Sequence, residues 1–256
     1  MHNDLFSIGP FTVHTYGLMI AIGVIAAYLT AGYRAKRLNI NSSHIDLLSV
    51  WILLGGILGA KILYWFTQIK NIMQSPAILL NITNGFVVYG GIIGGILAGY
   101  LYCRKKQLAF LKCFDLFIPS VALAQGLGRI GCFMAGCCYG IETTSAWGVV
   151  FPSSSLAPGG VPLIPTQLIS SGLDFILFAI VIFYAKRKKA DGQVAALYLI
   201  LYSAGRFSLE FFRGDLARGS VGILSTSQFI AIFLFIIGCV LFFVKQRKII
   251  VNTPGE

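Results

Sequence analysis

Three cations stand inside otherwise apolar stretches of this sequence: Lys61, Arg129 and Arg206. A charge in hydrocarbon costs a few kcal/mol or more, so each needs a reason. An arginine fork donates two parallel hydrogen bonds and suits a phosphate. Glu210 follows Arg206 by four residues, which puts the two on one helix face. His14, Tyr16, Tyr89 and Gln167 add hydrogen-bonding groups at the starts of other apolar runs. Together these residues would bind an anion whose remainder is apolar, such as a lipid with a phosphate head. The plainer account of any one cation is snorkelling to the interface or, for Arg206, neutralising Glu210.

The segments that must position these groups are read from composition and run length. The chain has 256 residues, 57% hydrophobic and 11% charged, with a mean hydropathy of +0.81. Soluble domains carry about 25% charged residues, so an ordinary water-soluble globule is excluded, and so is a disordered chain. Six cysteines are too few for a disulfide scaffold of this length. Apolar runs near 20 residues can each cross a ~30 Å hydrocarbon layer at ~1.5 Å per residue. The reading is an all-α, polytopic integral membrane protein, a single membrane domain over 1–256. Seven spans are expected near 13–33, 47–66, 86–102, 113–134, 166–185, 193–212 and 222–244.

A net charge of +11 would suggest nucleic acid in a soluble protein. Here the basic residues cluster between spans, and no nucleic acid is expected. Arg34, Lys36 and Arg37 follow the first span, and Arg104, Lys105, Lys106 and Lys112 the third. The KRKK run at 186–189 follows the fifth, and Lys245, Arg247 and Lys248 the seventh. The alternate connections carry only Lys70, Arg213 and Arg218. The positive-inside rule then puts the N-terminus outside and the C-terminus in the cytoplasm. The opening MHNDLF has no basic region or cleavage site, so no removable signal peptide is expected. The longest connection, 135–165, is rich in Gly, Pro and Ser and is expected to cap the outer face.

With that topology the three cations reach one level. Arg129 lies 14 residues past Asp115, Arg206 15 past Asp191 and Lys61 15 past Asp46, each about 21–22 Å up its helix. Tyr89 lies about 6 Å below the outer boundary. Asp174, about 10 Å deep, is either a buried neutral acid or a partner for one of the cations. The segment GLGRIGCFMAGCCYG (126–140) is dense in Gly and Cys. Its C-x4-C-C spacing of Cys132, Cys137 and Cys138 is not a standard zinc pattern. Adjacent Cys137 and Cys138 are awkward to join in a disulfide, so packing at a helix end is expected of all three, and no metal. Glycine runs at 55–60 and 89–99 point to close helix packing. The lack of an internal repeat argues against an inverted-repeat transporter.

These pieces resemble the prolipoprotein diacylglyceryl transferase family along most of the chain. The resemblance is carried by HTYGLM (14–19), LGAKILY (58–64), VYGG (88–91), GRIGCF (128–133), PTQL (165–168) and YSAGRFSLEFFRGD (202–215). It implies seven spans with the N-terminus outside, in the bacterial plasma membrane, and an active site toward the outer leaflet. It also implies transfer of a diacylglyceryl group from phosphatidylglycerol to the lipobox cysteine thiol of a prolipoprotein signal peptide, releasing glycerol 1-phosphate. Arg129 matches the arginine of G-R-x-G, and Tyr202, Arg206 and Glu210 match Y-x3-R-x3-E. Tyr16 matches the first-span tyrosine and Gly140 the glycine ending the span-four segment. No cofactor is implied, and the oligomeric state is left open.

The departures from the family pattern bear on mechanism. Tyr89 stands where the family's histidine is typical, Cys132 where asparagine is, and Cys137 where glutamate often is. Ile169-Ser170 replaces a common Tyr-Glu, and Lys61 replaces an arginine, keeping charge but losing the fork. A thiol of pKa ~8.5 must lose its proton to attack, and a tyrosine of pKa ~10 is a weak base unless cations tune it. Tyr89 is therefore a tuned base, a hydrogen-bond donor beside another base such as His14, or the mark of a divergent relative. The expected catalytic set is Tyr89, Arg129, Arg206 and Glu210. Tyr16, Lys61, Tyr202, Gln167, His14 and Gly140 are expected to bind substrate. The rival readings are a paralogue with another acceptor and a non-catalytic anionic-lipid transporter or scaffold.

Overall fold

A backbone in hydrocarbon must satisfy its own N–H and C=O groups, and helices do so within one segment. The computed structural model describes residues 4–8, 11–38, 40–80, 85–153, 155–215 and 219–252, so Arg218 lies outside the described residues. Its long helices are α1 (Thr15–Arg37), α2 (Ser42–Thr67), then after a short α3 (Ile69–Gln74), α4 (Val88–Lys105), α5 (Phe110–Ala135), α6 (Thr166–Tyr184), α7 (Gln193–Glu210) and α8 (Thr226–Asn252). Each expected span has its helix, with ends displaced by a few residues. Five of them, α1, α2, α5, α6 and α8, are long and apolar enough to cross a membrane. Helices α4 and α7 are shorter, 18 residues each, and carry Arg104 and Lys105, and Arg206 and Glu210. The protein is a multi-pass α-helical membrane protein. Among the described residues there are also three small antiparallel hairpins: β1 (Asp4–Ile8) with β2 (Phe11–His14), β3 (Val149–Val150) with β4 (Pro162–Leu163), and β5 (Ser220–Val221) with β6 (Leu224–Ser225).

The chain divides into two compact units. In the unit Ala31–Cys113, Asn41 opens α2 by accepting the Ser43 N–H at 3.0 Å. Helices α2 and α4 meet backbone to backbone through Gly55, Gly59, Gly90 and Gly94. A methyl at Gly94 would run into the Gly55 carbonyl oxygen and lie 2.9 Å from the Gly59 Cα. The expected close packing is thus a small-residue contact on both helices. Leu58, Phe66 and Ile93 are more than 60% exposed, as side chains facing lipid rather than water can be.

In the unit formed by Met1–Thr30 and Phe114–Glu256, α5, α6 and α7 share a core of Ile118, Ala122, Leu177, Val181, Val194, Ala195 and Tyr198. Ser171 ties α6 to α5 by donating to the Gly126 carbonyl at 2.8 Å. At the far end from Arg129, buried Asp115 accepts hydrogen bonds from Lys188 Nζ (2.9 Å) and from the N–H groups of Gly192 (2.8 Å) and Ala195 (3.0 Å). A carboxylate there satisfies orphan donors of the α7 first turn and complements the helix dipole. Burial opposes the Lys188 charge, but the Asp115 and Asp191 carboxylates outweigh it and raise its pKa above the ordinary lysine value. That contribution is complete below the ordinary value and is lost only as pH rises through the raised one. Asp115→Ala leaves the Gly192 and Ala195 amides without their acceptor and Lys188 with Asp191; it should lower unfolding stability at neutral pH by about 1–3 kcal/mol, read as a drop in melting temperature in detergent.

Candidate active site

Helix α5 delivers Arg129 near its end, flanked by Gly128 and Gly131. Gly131 allows α1 to come close: a Cβ there would lie 3.0 Å from Met19 Cβ and 3.3 Å from the Tyr16 ring. Tyr16 and Arg129 interact electrostatically, and Arg129 also interacts with Tyr202, Asp174 and Arg206. Asp174 interacts with both arginines, so the acid whose partner was open faces the pair. Among the described residues Arg129 forms no ion pair.

Helix α7 delivers Arg206. Its Nη2 lies 2.9 Å from Glu210 Oε2 and donates to Ser227 Oγ at 2.9 Å. Neutralisation of Glu210 is therefore real, but both contacts use one nitrogen, and a guanidinium carries five N–H donors. Tyr202, one turn earlier, stacks on Tyr198 at 5.5 Å, and Tyr198 donates its hydroxyl to Gln125 Oε1 at 2.6 Å. A cleft of about 180 Å³ runs between α6 and α7. Asp174, Tyr202 and Arg206 line it together with Ser170, and Leu177, Ile180 and Leu201 extend it as an apolar slot.

The segment after α5 is ordered by a tight C-cap. The Cys137 N–H donates to the Cys132 carbonyl and the Gly136 N–H to that of Phe133, with Gly136 at φ +72°. This is the Schellman arrangement, which folds the chain back on the helix end. It brings the sulfurs of Cys132, Cys137 and Cys138 within 4.8 Å of one another. Hydrogen bonds from Cys132 and Cys137, helped by Arg213 and Arg129, hold the Cys138 thiol well below its ordinary pKa. Those same sulfur contacts push Cys137 up. The turn is pinned to the start of α6: Gln167 Nε2 donates to the Cys137 carbonyl and Thr166 Oγ1 to that of Cys138, both at 2.8 Å. Gln167 is buried, and its amide nitrogen is committed to the turn. Gly140 lies between Ile164 and Phe212, where a Cβ would meet the Ile164 carbonyl oxygen at 2.5 Å and that of Phe212 at 2.8 Å. Beyond the turn, Phe151, Ala157 and Leu163 form a small buried cluster of their own.

Arg213, counted in the sequence as an ordinary connecting residue, is buried: its side chain is 5% exposed. It makes a two-point contact with Asp215 (2.7 and 3.1 Å) and interacts with Cys138 and Glu210. Burial opposes its charge, but Asp215 outweighs that and raises its pKa. The one signal for it was that the R-G-D piece, three residues past Glu210, lies inside the longest resembling segment. His14, exposed, closes β2 beside Tyr16 in sequence. In the other unit, Lys61 is buried with its Nζ over the Tyr64 ring (5.2 Å) and the Phe86 ring (5.1 Å), so ring faces accommodate its charge. Tyr89, at the start of α4, is 41% exposed.

The sequence model described as "Prolipoprotein diacylglyceryl transferase" matches residues 3–244. The chain belongs to that family. The prolipoprotein diacylglyceryl transferases similar to it include a Clostridium tetani protein, named phosphatidylglycerol–prolipoprotein diacylglyceryl transferase. It is 48% identical over 244 residues, covering 95% of this chain and 98% of the relative. A Clostridium perfringens protein named phosphatidylglycerol–prolipoprotein diacylglyceryl transferase 2 is 47% identical over 92% of each chain. A Finegoldia magna relative of the same name is 36% identical over the full length of both. As a prolipoprotein diacylglyceryl transferase, this protein is a transferase embedded in a membrane. Its G-R-x-G arginine and its Y-x3-R-x3-E arginine are the two that share the field of Asp174.

Proposed function

We propose that this transferase moves a diacylglyceryl group from phosphatidylglycerol to the lipobox cysteine of a prolipoprotein signal peptide. The reaction would take place at the outer leaflet of the bacterial plasma membrane. A bond forms between the cysteine sulfur and the terminal glyceryl carbon, and the bond from that carbon to the phosphate oxygen breaks. Glycerol 1-phosphate leaves with that oxygen, and the thiol proton passes to a base. The observation that carries the reading is Arg129: half-buried, in no ion pair among the described residues, and interacting with Arg206 and Asp174. Two guanidinium groups stabilise the charge that grows on the departing phosphate. Glu210 and Ser227 hold Arg206 in place. Tyr202 and Tyr16 border the head group, and the slot along α6 and α7 takes an acyl chain. Gln167 and Gly140 act by fixing the turn and the segment after it. Tyr89 takes its role from its place in the family pattern, as does Lys61, a source of positive field.

The test is incubation of the purified protein with phosphatidylglycerol vesicles and a lipobox peptide. The peptide should gain one diacylglyceryl mass as an equal amount of glycerol phosphate appears. Phosphate release without peptide gain would point instead to a paralogue with another acceptor. Lipid binding with neither product would mean a non-catalytic protein. In the same assay Tyr89→Phe should lower turnover about 100-fold or more while lipid binding stays within twofold, as for loss of a general base. Equal loss of both would make Tyr89 a binding group only.

A further inference from the structure

We propose that Cys132, Cys137 and Cys138 form a three-thiolate site for one soft, thiophilic metal ion of the zinc, cadmium or copper(I) class. Their sulfurs lie within 4.8 Å of one another, and none is in a disulfide. A metal–sulfur bond of ~2.3 Å in tetrahedral or trigonal geometry sets sulfur–sulfur distances of about 3.8–4.0 Å. Closing on an ion therefore takes movements of about 1 Å or less. Three thiols give up three protons to solvent, and three metal–sulfur bonds replace three S–H bonds. Three protein ligands leave a fourth position open.

The surroundings are organised for this. The helix-end turn, with Gly136 at φ +72° and Cys138 at φ +61°, fixes the backbone that carries two of the ligands. Thr166 and Gln167 clamp the carbonyls of those same two residues from α6. Cys132 is buried while Cys137 and Cys138 are partly exposed, which gives an entry path. Three thiolates around a divalent ion carry one net negative charge, and Arg129 and Arg213 both interact with Cys138. Soft sulfur ligands select ions of this class over magnesium or calcium. The site stands independently of the phosphate-binding role proposed for Arg129.

The experiment titrates cadmium into the full-length protein in detergent, after reduction with a phosphine. Sulfur-to-metal charge-transfer absorption should saturate at one ion per chain. N-ethylmaleimide labelling read by mass spectrometry should fall at Cys137 and Cys138, the partly exposed members, only when cadmium is present, since Cys103, Cys113 and Cys132 are buried with or without it. Cys132→Ser, Cys137→Ser and Cys138→Ser should each weaken binding at least tenfold, and Cys239→Ser should not. Protection is measured on the unsubstituted chain, so it decides the matter even if a variant fails to fold. No absorption at one equivalent, undiminished labelling of Cys137 and Cys138 in the presence of cadmium, or unchanged binding in Cys132→Ser would overturn the proposal.

Discussion

Arg129→Ala should reduce diacylglyceryl transfer by about 10²–10³-fold, the size of effect seen when a preorganised donor to developing negative charge is removed. The melting temperature should hardly change. Arg129 is in no ion pair among the described residues, and Asp174, the acid it interacts with, keeps Arg206 beside it. Removing a half-buried cation of this kind leaves no carboxylate stranded. Arg206→Ala is the instructive contrast: it removes the guanidinium that lies 2.9 Å from the Glu210 carboxylate, whose side chain is only 4% exposed, so folding should suffer along with activity. Arg129→Lys should fall between wild type and alanine, because it keeps the charge and loses the two-point fork. The measurements are peptide mass gain per minute and thermal unfolding on the same samples. Arg129→Ala activity within tenfold of wild type would remove this residue from the phosphate site.

Gly94→Val should force α2 and α4 apart and destabilise the fold. Overpacking usually costs about 1–3 kcal/mol because neighbouring side chains can move aside. Here the obstacles are the Gly55 carbonyl and the Gly59 Cα, which are backbone, so the helices must separate. A loss of about 3 kcal/mol or more is expected, seen as a melting temperature lowered by several degrees and as detergent-induced aggregation. Gly56→Ala is the matched control: its methyl would sit 3.5 Å from the Gly91 carbonyl, an ordinary contact, and alanine favours the helix. Equal melting of the two variants would mean that α2 and α4 do not meet at these glycines.

The helices were legible in the sequence because the bilayer imposes a run length that few other environments demand. Ends moved by several residues, as at α8, since composition marks the hydrocarbon boundary and not the last hydrogen bond. Arg129 and Arg206 were legible for the same reason: a charge in an apolar run stands out. Arg213 was not, because three residues past Glu210 the pattern reads as a connection, and only the bridge of Gly140 to Arg213 folds it inward. Lys61 was marked as costly, but its accommodation by Tyr64 and Phe86 depends on the fold. The cysteines were judged by spacing against paired zinc motifs. Their proximity comes instead from the turn after α5, which returns Cys137 onto Cys132. The glycine in A-G-C-C was the cue, since it takes the left-handed position of that cap. Gly140 was found through family resemblance and Gln167 as a polar group opening an apolar run, and neither signal says that the residue serves the backbone.

The anchor at Asp115 sets an order of assembly during synthesis. Its partners Lys188 and Gly192 come 73 and 77 residues later, so a ribosome adding about 5–20 residues per second needs roughly 4–15 s to supply them. Throughout that interval α5 exists without the groups that satisfy its acid, and it completes its docking only once the hairpin of α6 and α7 has emerged. Truncation between these points would take away the Lys188 ammonium and the Gly192 and Ala195 amides, and with them the anchor of α7 on α5.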